Sequence, residues 1–484
     1  MITPEKRGFS SAYLESVLRA FDDGGIPMHS LLIARGDDII LNAYWAPFKR
    51  GELHRMNSVT KSFVALAIGC LIEEGRVALC DKVIDYFPEA TDFDTNPHQA
   101  ELTVENLLTM RTGYRPEGNG HWVRDREYNR IKGFFERKPA TCRGESFYYD
   151  STGSYILGVI VERLTGMSFI KYLQGKVLDK IGFSSNTDCI RGGEHYSWSD
   201  SGLLCSSEDL YKTAKFINGG GTHNGERLMS EDFLRAAVRK NVSTDGNAFF
   251  KNMGYGYQIW KTKNDGFMFL GMGAQIMLCL PDRDLYIVCT ADTQPTEDYR
   301  DFIFRQFFDI IDRDTYDSLP EDPEAYKSLC EYAESLTLTS YKSTGVIPSQ
   351  ALTSGKKYIA DENPMGIKWF SLDVSGERGR FIYENAQGEK EIPFGIGYNE
   401  FSDFPEDGYF DMEIGVSPAG HRYPTAVSAK FTDADTLDIW VQFIGRHLGG
   451  DYITVRVDGE QAHINMKKTT NCFLDRYFGE ANAK

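Results

Sequence analysis

Over residues 11–312 the apolar positions of the chain switch between helical and strand periods. Tyr13, Leu14, Val17, Leu18 and Phe21 share one helical face, and Gly24-Gly25 ends it. Residues 31–34 and 39–44 read as two strands of a hairpin around Arg35-Gly36-Asp37-Asp38. Phe63, Leu66, Ala67, Cys70 and Leu71 form an apolar stripe at helical spacing that stops at Gly75. Thr103 is positioned to cap a short helix, residues 155–164 read as a helix closed by Thr165-Gly166, and Ser206-Ser207-Glu208-Asp209 carries the serine-plus-acid signature of a helix start. Residues 254–260 read as one strand, and 267–280 as another, interrupted by small residues at 271, 273 and 274 and paired with 285–289. Residues 300–312 close this part with a last amphipathic helix, and 321–336 read as a more polar helix after Pro320.

The pattern then changes. Residues 337–354 are rich in Ser and Thr, contain Gly345 and Pro348, and read as a linker. Beyond about residue 345 the helical period is lost, and short alternating runs such as 437–443 and 452–457 are split by Gly, Asp and Asn turns. They predict an antiparallel β-domain, a sandwich or a barrel. The expected division is a mixed α/β (α+β) domain over 1–318, a helix and linker over 319–344, and the β-domain over 345–484.

A chain of 484 residues with 41% hydrophobic content is long enough for more than one core. Its formal net charge of -17 repels phosphate backbones and anionic lipid surfaces, so neither nucleic acid nor a membrane is an expected partner. Nine cysteines occur without a Cys-x-x-Cys pair, which fits reduced core residues. The N-terminal segment lacks the apolar core of a signal peptide, and no apolar run is long enough to span a bilayer. Cytoplasmic localisation is the expectation that follows. The histidines show no His-x-x-x-His or His-x-x-Glu-His arrangement, so no metal or other cofactor is expected.

The candidate chemistry begins at Asn57-Ser58-Val59-Thr60-Lys61, where the stripe that follows puts Ser58 in the first turn of a helix. Residues three apart share a helix face, so Ser58 and Lys61 can touch. A serine hydroxyl needs a base, and a lysine can serve only when neutral, a form that burial and a helix N-terminus both favour. The same N-terminus offers backbone N–H groups to a developing oxyanion. Ser-x-x-Lys recurs at Ser168/Lys171 and Ser354/Lys357, so the spacing alone does not decide. Tyr149, just before Asp150-Ser151 at a loop-to-helix junction, is a second candidate proton carrier. It follows a polar, aromatic stretch, 115–145, that includes His121, Trp122 and Tyr128 and reads as a long irregular loop bordering a site.

Taken in order, Ser58-x-x-Lys61 at the head of a helix, Phe147-x-Tyr149-x-Ser151-x-Gly153 before a second helix, Ser201-Gly202-Leu203 before a capped helix, and the glycine-interrupted late strand resemble the serine β-lactamase and penicillin-binding-protein superfamily, in its esterase and amidase branch near class C. The resemblance covers roughly residues 10–312. It implies an antiparallel sheet flanked by helices with a helical subdomain. It makes Ser58 the acylated nucleophile, Lys61 its partner and Tyr149 a sharer of its proton traffic. Ser151 falls where the family has asparagine, and Met272-Gly273-Ala274 where it has Lys-Thr-Gly, which leaves the Gln275 N–H as the second oxyanion donor beside that of Ser58. A methionine cannot bind a carboxylate as lysine does, which ranks a small ester or amide above β-lactam and D-amino-acid peptide substrates. The competing reading is a binding protein that kept the fold and lost turnover. A homo-oligomer is compatible with either.

Overall fold

The computed structural model describes residues 2–114, 129–192, 195–245, 253–263, 265–315, 317–405, 422–469 and 477–484. The predicted loop residues His121, Trp122 and Tyr128, and Cys472, lie outside these.

The first helix, Ser11–Asp23, buries Leu14, Val17, Leu18 and Phe21 as its stripe requires. The predicted hairpin is there as Met28–Arg35 and Asp38–Tyr44. Together with Leu285–Ala291, Gln275–Leu280 and Phe267–Gly271 these strands form the antiparallel core of an eight-stranded sheet. Two readings change here. Residues 267–280 are two strands joined by a turn at 272–274, because Gly271 pairs with Gln275 across it. Residues 254–260 are likewise two short strands, Gly254–Tyr255 and Trp260–Lys261, separated where Gln258 takes φ 56°.

One face of the sheet packs on Ser11–Asp23 and Glu297–Asp312, and Leu329 and Leu336 of the next segment join the same core. Tyr332 holds that segment to the first helix through a hydrogen bond to Asp22 and the Arg19 guanidinium over its ring. The other face covers the helix Thr60–Glu73, whose residues 60–71 are all buried. The expected one-sided stripe is thus a helix enclosed on every side, as a long all-apolar helix must be.

The second sheet has ten strands and runs from Tyr358–Ile359 to Gly479–Ala483. Alternation is clean in Arg378–Asn385, where every second residue is buried, and the inward residues Phe381, Tyr383, Leu437, Ile439, Ile453 and Val455 form one core. Ile359 and Lys484 exchange backbone hydrogen bonds of 2.8 and 3.0 Å, which brings the first and last strands together. Of the two predicted shapes, this sheet is the barrel, nearly closed on itself. Trp198, from the helical part of the chain, is buried in the barrel's core cluster.

Candidate active site

The chain enters the site along the strand His54–Arg55, which pairs with Leu203–Cys205, and then makes a single 3-10 turn, Asn57–Val59. Ser58 therefore stands in a turn that leads into the helix Thr60–Glu73. Asn57 is left-handed at φ 47°, a conformation that asparagine accepts better than most residues. Its side chain donates to Met272 O at 2.8 Å, and Thr60 Oγ1 donates to Asn57 O at 2.6 Å and accepts from Leu203 N. These bonds fix the turn from both sides.

Lys61 is 1% exposed, and its Nζ lies 2.9 Å from Ser58 Oγ and 2.7 Å from Asp200 O. Two oxygens thus hold one buried amine against the hydroxyl. Asp200 is a contributor that sequence reasoning missed, and no side-chain signal could have found it, because the acceptor is its backbone carbonyl. Its own carboxylate is buried, with Oδ1 3.2 Å from both terminal nitrogens of Arg130. Arg130 opens a helix, Arg130–Glu136, inside the stretch read as an irregular loop. That helix is capped by the Asn129 side chain, which accepts from Lys132 N. Part of the stretch is therefore ordered, and it does reach the lysine's support.

Tyr149 meets Lys61 by its ring face, with Nζ 5.1 Å from the ring centroid, and stacks on Trp260 at 5.8 Å. Among the described residues no hydrogen bond joins its hydroxyl to Ser58 or Lys61. Ser151 opens the helix Ser151–Thr165 and is half-buried, and it too makes no bond to Lys61 among the described residues. The fixed point of that junction is Asp150, which caps the helix at Gly153 N and is bound by Arg137 and Thr112. Burial pushes the Asp150 carboxyl up, but these partners outweigh it and hold it below the usual carboxylate range.

The hairpin turn closes the opposite wall, and its register differs from the predicted one. Gly271 packs directly on the nucleophile turn: a Cβ there would stand 2.3 Å from Met56 O and 3.2 Å from Ser58 N. Met272 follows, 41% exposed, and Gly273 and Ala274 complete the turn with φ 80° and 67°. Gln275 has its side chain sealed in the strand. It is 0% exposed, and its Nε2 donates to Met272 O at 3.0 Å and Ala291 O at 2.7 Å, so its side chain braces the turn from behind.

A second residue that the sequence did not flag is Gln258. Its backbone carbonyl accepts from Ser62, its Oε1 accepts from Ser154 at 2.6 Å, and its Nε2 donates to Leu107 O at 2.7 Å. One buried residue thereby ties the nucleophile helix to two neighbouring segments. Its only sequence signal was a polar residue between glycines and aromatics, which also describes an ordinary loop. Among the described residues no group of three His, Cys, Asp or Glu is placed to hold a metal ion.

A serine and a buried lysine in hydrogen-bond contact at the head of a helix, facing a hairpin of an antiparallel sheet, define the class of serine hydrolases built on Ser-x-x-Lys. A family model described as Beta-lactamase matches residues 14–306, more than half of the chain, and the chain belongs to that family. The 6-aminohexanoate-dimer hydrolase of Paenarthrobacter ureafaciens is 24% identical over 265 residues, which span 50% of this chain and 67% of that enzyme. Protein flp of Staphylococcus aureus (strain N315) is 25% identical over 270 residues, 47% of this chain and 53% of its own length. The chain thus spans two thirds of the first relative and about half of the second. Among solved structures, the octameric penicillin-binding protein homologue from Pyrococcus abyssi superposes with TM-score 0.50 at 17% identity, covering 98% of this chain and 100% of that one. That likeness concerns the fold, and it extends through the barrel.

Proposed function

We propose that the protein cleaves a small amide or ester through an acyl-enzyme on Ser58. The observation that carries this reading is the 2.9 Å contact between Ser58 Oγ and the Nζ of buried Lys61. A neutral amine in that position can donate one hydrogen to Asp200 O and accept the serine proton as Oγ attacks the carbonyl carbon. The Tyr149 phenol then gives its own proton to the leaving group and is restored by the proton that Lys61 took up, a relay supported by the contact between the amine and the ring. Catalytic hydrogen bonds are often long before substrate arrives and tighten in the complex. The Ser58 and Met272 N–H groups hold the oxyanion in this scheme, an assignment supported by the packing of Gly271 against Ser58 N. Water finally cleaves the acyl-enzyme and restores the hydroxyl.

Similarity to a hydrolase named for a 6-aminohexanoate dimer supports the amide side of the pair. Met272, apolar and exposed where the resemblance calls for lysine, argues against substrates that need a carboxylate anchor there. The test is intact-mass analysis after incubation with a fluorophosphonate, run beside turnover of p-nitrophenyl esters, small amides and a chromogenic cephalosporin. The expected outcome is a single adduct, absent in Ser58→Ala, with ester or amide turnover that falls by about a thousandfold or more in that variant. An adduct that survives in Ser58→Ala, or none in the native protein, would favour a binding protein. Fast cephalosporin turnover would reverse the substrate ranking.

A further inference from the structure

A cavity lies where the barrel meets the enzyme body, and its lining holds none of Ser58, Lys61, Tyr149 or the turn at 272–274. It encloses about 220 Å³ and is lined by Ser30, Thr290 and Ser207 on one side and by Pro424, Ile444 and Arg446 of the barrel on the other. That is room for a small molecule rather than a single water.

Its floor is a pair of buried imidazoles. His29 Nδ1 lies 2.8 Å from His54 Nε2, and His54 Nδ1 lies 2.9 Å from Arg55 O. A carbonyl only accepts, so His54 carries its hydrogen on Nδ1 and its Nε2 accepts from His29 Nδ1–H. Burial holds both rings below the usual histidine range, which keeps them neutral at physiological pH. This assignment leaves His29 Nε2 as a lone pair. His29 is 2% exposed, its side chain makes no other hydrogen bond among the described residues, and it lines the cavity with Phe48 stacked on its ring at 3.9 Å. An acceptor on a buried ring, facing the cavity and without a partner among the described residues, can take a donor from outside the chain.

The rim supplies charge of both signs. Lys49 and Arg446 are exposed, as is Glu52, and among the described residues none of the three forms a side-chain hydrogen bond or an ion pair. Ser30 Oγ lies 2.7 Å from both Ser207 Oγ and Thr290 Oγ1, a run of hydroxyls with capacity for one more acceptor. Leu53 and Ile444 add apolar wall.

We propose that this cavity is a binding site for a small zwitterion of the α-amino-acid class, its carboxylate between Lys49 and Arg446 and its ammonium donating to His29 Nε2. Such a ligand bridges the barrel and the enzyme body. It also sits behind the strand that leads to the nucleophile, since His54 precedes Ser58 by four residues and Arg55 Nε reaches Ser201 O next to the Asp200 carbonyl that holds Lys61.

The test is titration calorimetry of the full chain with L- and D-leucine, leucinamide and 4-methylpentanoate. The expected result is one site per chain for at least one enantiomer of leucine. Affinity should fall at least about tenfold for each analogue that lacks a charge and in the Lys49→Ala/Arg446→Ala double variant. Both substitutions are on exposed residues away from Ser58, so folding and the proposed hydrolysis serve as controls. His29→Phe, which removes the ring acceptor, should abolish binding. No binding of either leucine, or binding unchanged in the double variant, would overturn the proposal, and equal affinity for 4-methylpentanoate would overturn the zwitterion assignment.

Discussion

The two walls of the Ser58 cleft are built in opposite ways. The nucleophile turn is local: Ser58 and Lys61 are three residues apart, and one helical turn brings them to 2.9 Å. The facing hairpin is set by long-range packing, with Gly271 seated against Met56 and Ser58 more than two hundred positions away in the chain. A local arrangement survives small errors elsewhere, whereas a docked one depends on each contact. The hairpin side is therefore where single substitutions should misplace catalysis without removing a reacting group.

Gly271→Ala tests this most severely. The new Cβ would meet Met56 O at 2.3 Å, so the hairpin must back away from Ser58. Turnover should fall by about a hundredfold, as expected for a displacement near one ångström, while the fluorophosphonate adduct on Ser58 still forms. Full activity would mean that the hairpin has no part in the site.

The strand behind the nucleophile gives a stability test. His54 is held down to about 4 by burial, with His29 beside it also held low. An unfolded chain takes up protons below the ordinary histidine value that these buried rings refuse, so stability is full above that value and is lost as pH falls towards the folded one. His54 alone should cost about 2 kcal/mol by about pH 5, seen as a lower midpoint in urea. A midpoint unchanged between neutral pH and about pH 5 would contradict the buried neutral pair.

A smaller effect is expected at the clip between the walls. Asn57→Gly keeps the left-handed backbone but removes the bond to Met272 O, so kcat should fall by about tenfold with little change in melting temperature. Asn57→Ala adds backbone strain of about 1 kcal/mol, and the pair of variants separates the clip from the conformation. The smallest effect belongs to Met272→Ala. Its side chain is 41% exposed, so KM should shift by no more than a few fold and stability by about 0.5 kcal/mol or less.

Much of the helical framework was legible because each start and stop is a local event. Thr103 and Ser206 form capping boxes with Asn106 and Asp209, Gly166 closes its helix at φ 70°, and a run of short alternating segments predicted a β-domain. The hairpin register was not legible. Small residues at 271, 273 and 274 marked irregular backbone, but a bulge and a turn leave the same trace in sequence. The three-residue turn puts the Gln275 side chain at the back of the wall, where it braces Met272 and Ala291. Asp200 and Gln258 left no trace of their roles, since one acts through a backbone carbonyl and the other through its carbonyl and its side-chain amide, whose partners come from separate segments.

By itself the sequence determined what depends on neighbours within a helical turn or a strand period: the Ser58–Lys61 pair, the caps, the division into a mixed α/β part and a β-rich part. Tertiary structure alone decided which carbonyl holds the lysine, which glycine touches the serine, how Tyr149 meets the amine, and that the second sheet curls into a barrel reaching Trp198. The reason is physical. Hydrogen bonding and side-chain periodicity act over a few residues and leave a pattern in the chain, whereas packing joins residues far apart in sequence, and its register is fixed only once both surfaces have folded.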